Sequence, residues 1–166
     1  MKTKELLPNQ IITLNDYPVY NDRVLRKYYK KVQLKKELPL VPVIKSDIVI
    51  KHFEITLKKE FKKFTKKNPA AEYFILDGNH RTTALTLTGS KIKTIIFSKD
   101  EDILEAKKLV SSGKILENAI LNHNLVENCL ILSKHFKIKP TLQTVLQKTE
   151  KMIKDKIVPQ FMIDTY

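Results

Sequence analysis

The sequence predicts an α/β fold whose last third is helical, and three observations carry that expectation. Short apolar runs at Ile11 to Leu14, Tyr73 to Leu76 and Ile92 to Phe97 have the length and the β-branched or aromatic content of buried strands. Between them, Val24, Leu25, Tyr28, Tyr29 and Val32 recur at helical spacing, as do Leu57, Phe61 and Phe64. Beyond residue 99 only the helical period remains.

Taken in order, the Ile11 to Leu14 strand runs into a turn-prone Asn15-Asp16-Tyr17-Pro18 stretch, and a helix starts from Asp22 with lysines on its outer face. Leu40 to Ile50 is rich in Val and Ile and reads as a strand, with Pro42 at its start or on an edge. Lys58 to Lys67 reads as a helix with six lysines around an apolar stripe; that face suits phosphates or simply water. Asn68-Pro69 breaks this helix, and Tyr73 to Leu76 suits a central strand. Asp77-Gly78 turns the chain, Thr82 to Thr88 is a short helix closed by Gly89, and Ile92 to Phe97 is the next strand. Glu101 and Asp102 favour a helix start and Gly113 a stop; Ile115 to Phe136 continues as one or two helices. Pro140 opens a last helix with Leu142, Val145, Leu146, Met152 and Ile153 on one face. The expected division is an α/β module over 1–98 and a helical region over 99–166 packed on it.

At 166 residues the chain suits one domain with a real core. Its 42% hydrophobic content is spread in short runs, so no membrane span and no membrane partner are expected. The MKTKELLPNQ start lacks the apolar stretch of a secretory signal, which places the protein in the cytoplasm as an expectation. The single cysteine, Cys129, excludes an internal disulfide and a Cys-based zinc site. The net charge of +13 suits nucleic acid, nucleotide phosphates or an acidic partner, and equally a lysine-rich solvated surface.

Glycine is scarce, so Gly78 directly after an apolar run implies a backbone need: a positive φ, or a ligand close to the main chain. A helix beginning at Asn79 or His80 would aim free N–H groups at the space above the strand. Arg81 adds a donor fork, and Thr82 and Thr83 add hydroxyls; together they suit phosphate. Asp77 beside phosphate needs a Mg²⁺ ion or a proton-transfer role to belong there. The alternative reading makes Asp77 an N-cap, Gly78 a turn residue, and His80 and Arg81 surface groups.

The run Asp77-Gly78-Asn79-His80-Arg81, followed by Ala84, Leu85, Gly89 and the Ile92 to Phe97 strand, resembles the signature of the ParB/sulfiredoxin superfamily, and most nearly its free-serine kinase branch. The resemblance covers roughly residues 10 to 98 and implies a mixed-sheet, nucleotide-binding module. It implies phosphoryl transfer from ATP or ADP, with Mg²⁺, to a small hydroxyl acceptor such as serine. Asp77 would then act near the acceptor hydroxyl or the metal, while Gly78, His80 and Arg81 hold phosphates. Asn79 stands where sulfiredoxins carry a catalytic cysteine and where the kinase-like form has histidine. The upstream Pro-His-Glu of the kinase-like proteins is replaced by Pro18-Val19-Tyr20-Asn21-Asp22, which leaves Asp22 as the nearest carboxylate. ParB partition proteins, which use CTP in some members, have Gly-Glu-Arg-Arg at the motif.

The ParB likeness also suggests a second function, DNA binding switched by nucleotide. Asn128 to Phe136 and Thr141 to Ile153, joined by Lys137 to Pro140, would form a helix-turn-helix presenting Gln143, Thr144, Gln147 and Lys148. The turn lacks the usual glycine, and an ordinary packing pair of helices is the simpler reading. His52, His123 and His135 have no metal-ligand spacing.

Overall fold

In the computed structural model, which describes residues 1–15, 17, 18 and 21–166, strands β1 (Lys2–Leu6), β2 (Ile11–Ile12), β3 (Val41–Lys45), β4 (Tyr73–Ile75) and β5 (Ile92–Phe97) form one sheet. Their order is β1-β5-β3-β4-β2. β5 and β3 run parallel, as do β4 and β2, while β1 with β5 and β3 with β4 are antiparallel. The α/β class, the mixed sheet and the helical last third are therefore as expected. The helices are α1 (Asp22–Gln33), α2 (Ser46–Val49), α3 (Ile55–Lys67), α4 (Asn79–Leu87), α5 (Asp100–Lys108), α6 (Leu125–Ile138), α7 (Val145–Lys154) and α8 (Gln160–Ile163). None of the described helices is long and apolar enough to cross a membrane.

Successive strand residues face opposite sides of a sheet, and this period of two sorts the core. Phe74 joins Ile44, Ile95 and Phe97 on the side covered by α3, α5 and α6, whereas Tyr73 and Ile75 join Val41, Val43 and Ile96 on the other. The first side is aromatic: Phe74 lies 5.4 Å from Phe136 and 5.7 Å from Phe53 between ring centroids, both edge-on. Such pairs add about 0.5–1.5 kcal/mol each beyond burial. α1, α4, α7 and α8 share a third cluster built on Leu25, Tyr29, Ala84, Leu87, Met152 and Met162. The helices after residue 99 thus complete the core of the sheet module.

Several expected boundaries change. The Val- and Ile-rich strand stops at Lys45, and Ser46-Asp47 opens α2; one helical turn buries Val49 in the aromatic cluster as well as a strand would. Pro42 sits inside β3, a central strand, yet ahead of the β4 ladder, which begins at Val43, and its carbonyl accepts from Leu76 N–H at 3.0 Å. β1 gives no apolar alternation because its first four residues are exposed on an edge strand, where charge discourages wrong pairing. α7 begins at Val145 instead of near Pro140, because Thr13 N–H bonds Gln143 C=O at 3.0 Å and holds the preceding segment extended beside β2. The turn around Asn15 to Pro18 includes Asp16, which lies outside the described residues, as do Val19 and Tyr20.

Candidate functional site

β4 ends at Ile75, and within three residues the chain reverses into α4. Gly78 is the N-cap of that helix with φ 115°, a backbone that a side chain strains. A Cβ at this position would also lie 3.1 Å from Nη2 of Arg81. Gly78 is therefore required by conformation and by contact. Asp77 is not the cap.

Arg81, on the first turn of α4, is 2% exposed. Its Nη1 donates to the carbonyls of Pro39 (3.0 Å) and Leu40 (2.9 Å), and its Nη2 donates to Asp77 Oδ2 at 2.7 Å. Burial pushes the guanidinium below its ordinary value, and the Asp77 carboxylate works against that shift. Buried charge is tolerated only when paired and hydrogen-bonded, and Arg81 has both. Its Nη donors, expected from sequence to grip phosphate, tie the β4–α4 turn to the entrance of β3.

The turn opens on a cleft of about 650 Å³. Asp77, Gly78, Asn79, His80 and Arg81 line it together with Tyr17, Pro18, Val24, Tyr28, Leu116 and Lys139. The Asn79 carboxamide oxygen accepts from the Thr13 hydroxyl at 3.0 Å. His80 Nε2 accepts from Asn21 N–H at 3.2 Å, which assigns the proton of the neutral ring to Nδ1. Asn21 caps α1 by accepting from Val24 N–H, so the His80 contact brings two helix N-termini together at the cleft. Both concentrate positive potential there, and Lys139 adds a full charge.

Tyr17 closes the cleft from the side of α7. Its hydroxyl donates to Asp155 Oδ2 at 2.6 Å, and Lys151 Nζ lies 4.4 Å from its ring centroid. Partial burial, with the hydrogen bond to Asp155 next, pushes the phenol up to about 12. Asn15 extends the anchoring: its N–H donates to His135 Nε2 at 3.0 Å, and its side chain donates to Lys139 C=O.

Other residues singled out from the sequence lie elsewhere. The Thr82 hydroxyl donates to the carbonyls of Gly78 and Asn79 and that of Thr83 to Asn79; both side chains are buried, so their hydroxyls serve the helix backbone. Asp22 accepts from Arg26 Nε at 2.7 Å on the exposed face of α1 and is not among the cleft residues. The DNA-reading set is also redirected. Thr144 and Gln147 form a reciprocal cap, Thr144 N–H to Gln147 Oε1 at 2.9 Å and Gln147 N–H to Thr144 Oγ1 at 3.2 Å. Lys148 is 2% exposed with Nζ 3.5 Å from Leu14 C=O, and Gln143 is half-buried beside β2. Only Gln147 of the four is exposed, and its amide donates to Asn68. This face of α7 packs inward; it does not present itself to a DNA groove.

Among the described residues no group of three or more His, Cys, Asp and Glu could hold a metal ion. Sequence reasoning did not assign Tyr17, Tyr28, Leu116 and Lys139 to the site, because they come from three separate segments. The Thr-x-x-Gln capping signal at 144 to 147 was present to be read. Comparison with family models, with curated proteins and with solved structures returns no match for this chain.

Proposed function

We propose that the cleft binds a nucleotide (ATP, ADP or CTP) with its phosphates against the α4 N-terminus, and that the protein transfers the terminal phosphoryl group to a small hydroxyl acceptor such as serine, or to water. One observation carries the reading: a single cleft joins a helix N-terminus, Lys139 and the Asp77 carboxylate to an apolar wall of Val24, Leu116 and the Tyr17 and Tyr28 rings. Backbone N–H groups and an ammonium suit phosphate oxygens, and apolar and aromatic walls suit a base. The resemblance of Asp77 to Arg81 to the ParB/sulfiredoxin motif points the same way, and cytoplasmic nucleotide would supply the site.

In this reading Arg81 is a positioning residue. It fixes Asp77 and the Gly78 turn, and phosphate binding falls to the α4 N-terminus and to Lys139. Asp77 accepts the proton of the acceptor hydroxyl as its oxygen bonds to phosphorus and the bond to the leaving nucleotide oxygen breaks. One carboxylate fits a Mg²⁺ that arrives with its nucleotide, since such ions take one or two carboxylates plus phosphates. Bound there, Mg²⁺ would neutralise phosphate charge; with Oδ2 held by Arg81, the other oxygen of Asp77 would serve either as the ligand of the ion or as the base toward the acceptor hydroxyl.

Calorimetry with ATP, ADP and CTP, with and without Mg²⁺, tests the reading on the wild type and on Lys139→Gln. Micromolar binding weakened about tenfold by the variant is expected, the loss of one charge-assisted contact. Folded protein that binds none of the three contradicts it. An acceptor screen starting with serine then compares Asp77→Asn, which should bind nucleotide but not turn over.

A further inference from the structure

We propose that the outer face of α3 binds double-stranded nucleic acid through its phosphate backbone, without regard to sequence. α3 carries Lys58, Lys59, Lys62, Lys63, Lys66 and Lys67, all exposed, against one carboxylate, Glu60. Glu60 pairs with Lys63 at 2.8 Å, and Glu54, just before the helix, pairs with Lys137 of α6 at 2.7 Å. Among the described residues the other five lysines have no ion pair. Like charges at i,i+4 repel. The helix dipole compensates for Lys66 and Lys67 in the last turn, but it opposes Lys58 and Lys59 near the N-terminus. A polyanion would relieve that repulsion.

Lys58, Lys62 and Lys66 form one row and Lys59, Lys63 and Lys67 another, with successive lysines about 6 Å apart along a helix about 20 Å long. The underside is fixed: Leu57, Phe61 and Phe64 are buried in the aromatic core. The lysines thus stand on a rigid ridge. From Lys58 to Lys67 the ridge is about 13 Å long, which matches about four phosphates of one duplex strand, spaced about 3.4 Å along the axis. Lysine ammonium groups are point charges without the fork that reads base edges, so the contacts are to phosphate. Single strands are held by exposed aromatic platforms, and the phenylalanines of α3 face inward, which favours a duplex.

The test is fluorescence anisotropy on the full chain with a labelled mixed-sequence DNA duplex of about two helical turns, between roughly 50 and 200 mM salt. The fourfold variant Lys58→Gln, Lys59→Gln, Lys62→Gln, Lys66→Gln keeps helix propensity and the Lys63 to Glu60 pair. A control with equal charge loss replaces Lys27, Lys30, Lys36 and Lys108 by Gln. The α3 variant should make the log–log salt slope shallower by about 3–4 and weaken low-salt binding at least about tenfold. The control should leave the slope near wild type, and both should bind nucleotide in the cleft as the wild type does. Lys62→Gln alone, expected to change the slope by about one, reads the same contact if the fourfold variant loses its fold. Equal losses in both sets, absence of duplex binding, tighter binding of a single strand, or equal competition by polyglutamate overturns the proposal. An RNA duplex of the same length identifies which nucleic acid is preferred.

Discussion

Arg81 lies over Gly78 so closely that a Cβ on the glycine would stand 3.1 Å from Nη2 and 3.3 Å from the guanidinium carbon. Three hydrogen bonds hold that guanidinium in place, so it has nowhere cheap to go. Gly78→Ala combines left-handed strain of about 1–2 kcal/mol with overpacking of about 1–3 kcal/mol. A loss of about 2–5 kcal/mol in denaturant unfolding is expected.

The Arg81 to Asp77 pair is broken asymmetrically by its two simplest variants. Arg81→Met leaves a partly exposed carboxylate and the Pro39 and Leu40 carbonyls without their donor, a loss of about 2–4 kcal/mol. Asp77→Asn keeps an oxygen to accept from Nη2 and so all three hydrogen bonds of the guanidinium; it loses only the counter-charge of the buried Arg81 and should cost less. Urea melts of both check the order; equal losses would mean that Arg81 does little beyond pairing with Asp77.

Cys129 is buried and its thiol is pushed up to about 11 by desolvation. At mildly alkaline pH it is expected to resist a thiol reagent in the native protein and to react once denatured. An acid with a raised folded value stabilises the fold below its unfolded value and loses that contribution as pH rises through the folded value. For Cys129 the window therefore runs from the ordinary thiol range up to about 11. A Cys129→Ala variant should lose less stability with rising pH across it.

Tyr17 reports on the cleft wall. Its phenol, held up to about 12, should ionise late in an ultraviolet titration, and Tyr17→Phe should remove that late step. Asp155→Ala should bring the step back toward ordinary tyrosine, because the hydrogen bond and the charge of Asp155 both contribute.

What was legible in the sequence was local. The Tyr73 to Leu76 run, the scarce glycine after it and the helix beyond gave the strand, the positive-φ turn and the N-terminus in register. The direction of Arg81 was not legible, since its acceptors Pro39 and Leu40 lie some forty residues upstream and no spacing rule connects them. The burial of Lys148 was not legible for a similar reason: a lysine is ordinarily solvated, and α7 meets the Leu14 segment from far along the chain. Lys139 and Tyr17 enter the site because the chain returns from α6 to the β2 side of the sheet.

The central claim is a phosphate site at the β4–α4 turn, and the chain's three glycines allow a direct reading of it. In an amide ¹H–¹⁵N spectrum, nucleotide with Mg²⁺ is expected to shift the Gly78 resonance in a saturable way and to leave Gly89 and Gly113 unmoved. Unchanged Gly78 at saturating ATP, ADP and CTP, or equal shifts at all three glycines, would contradict the account.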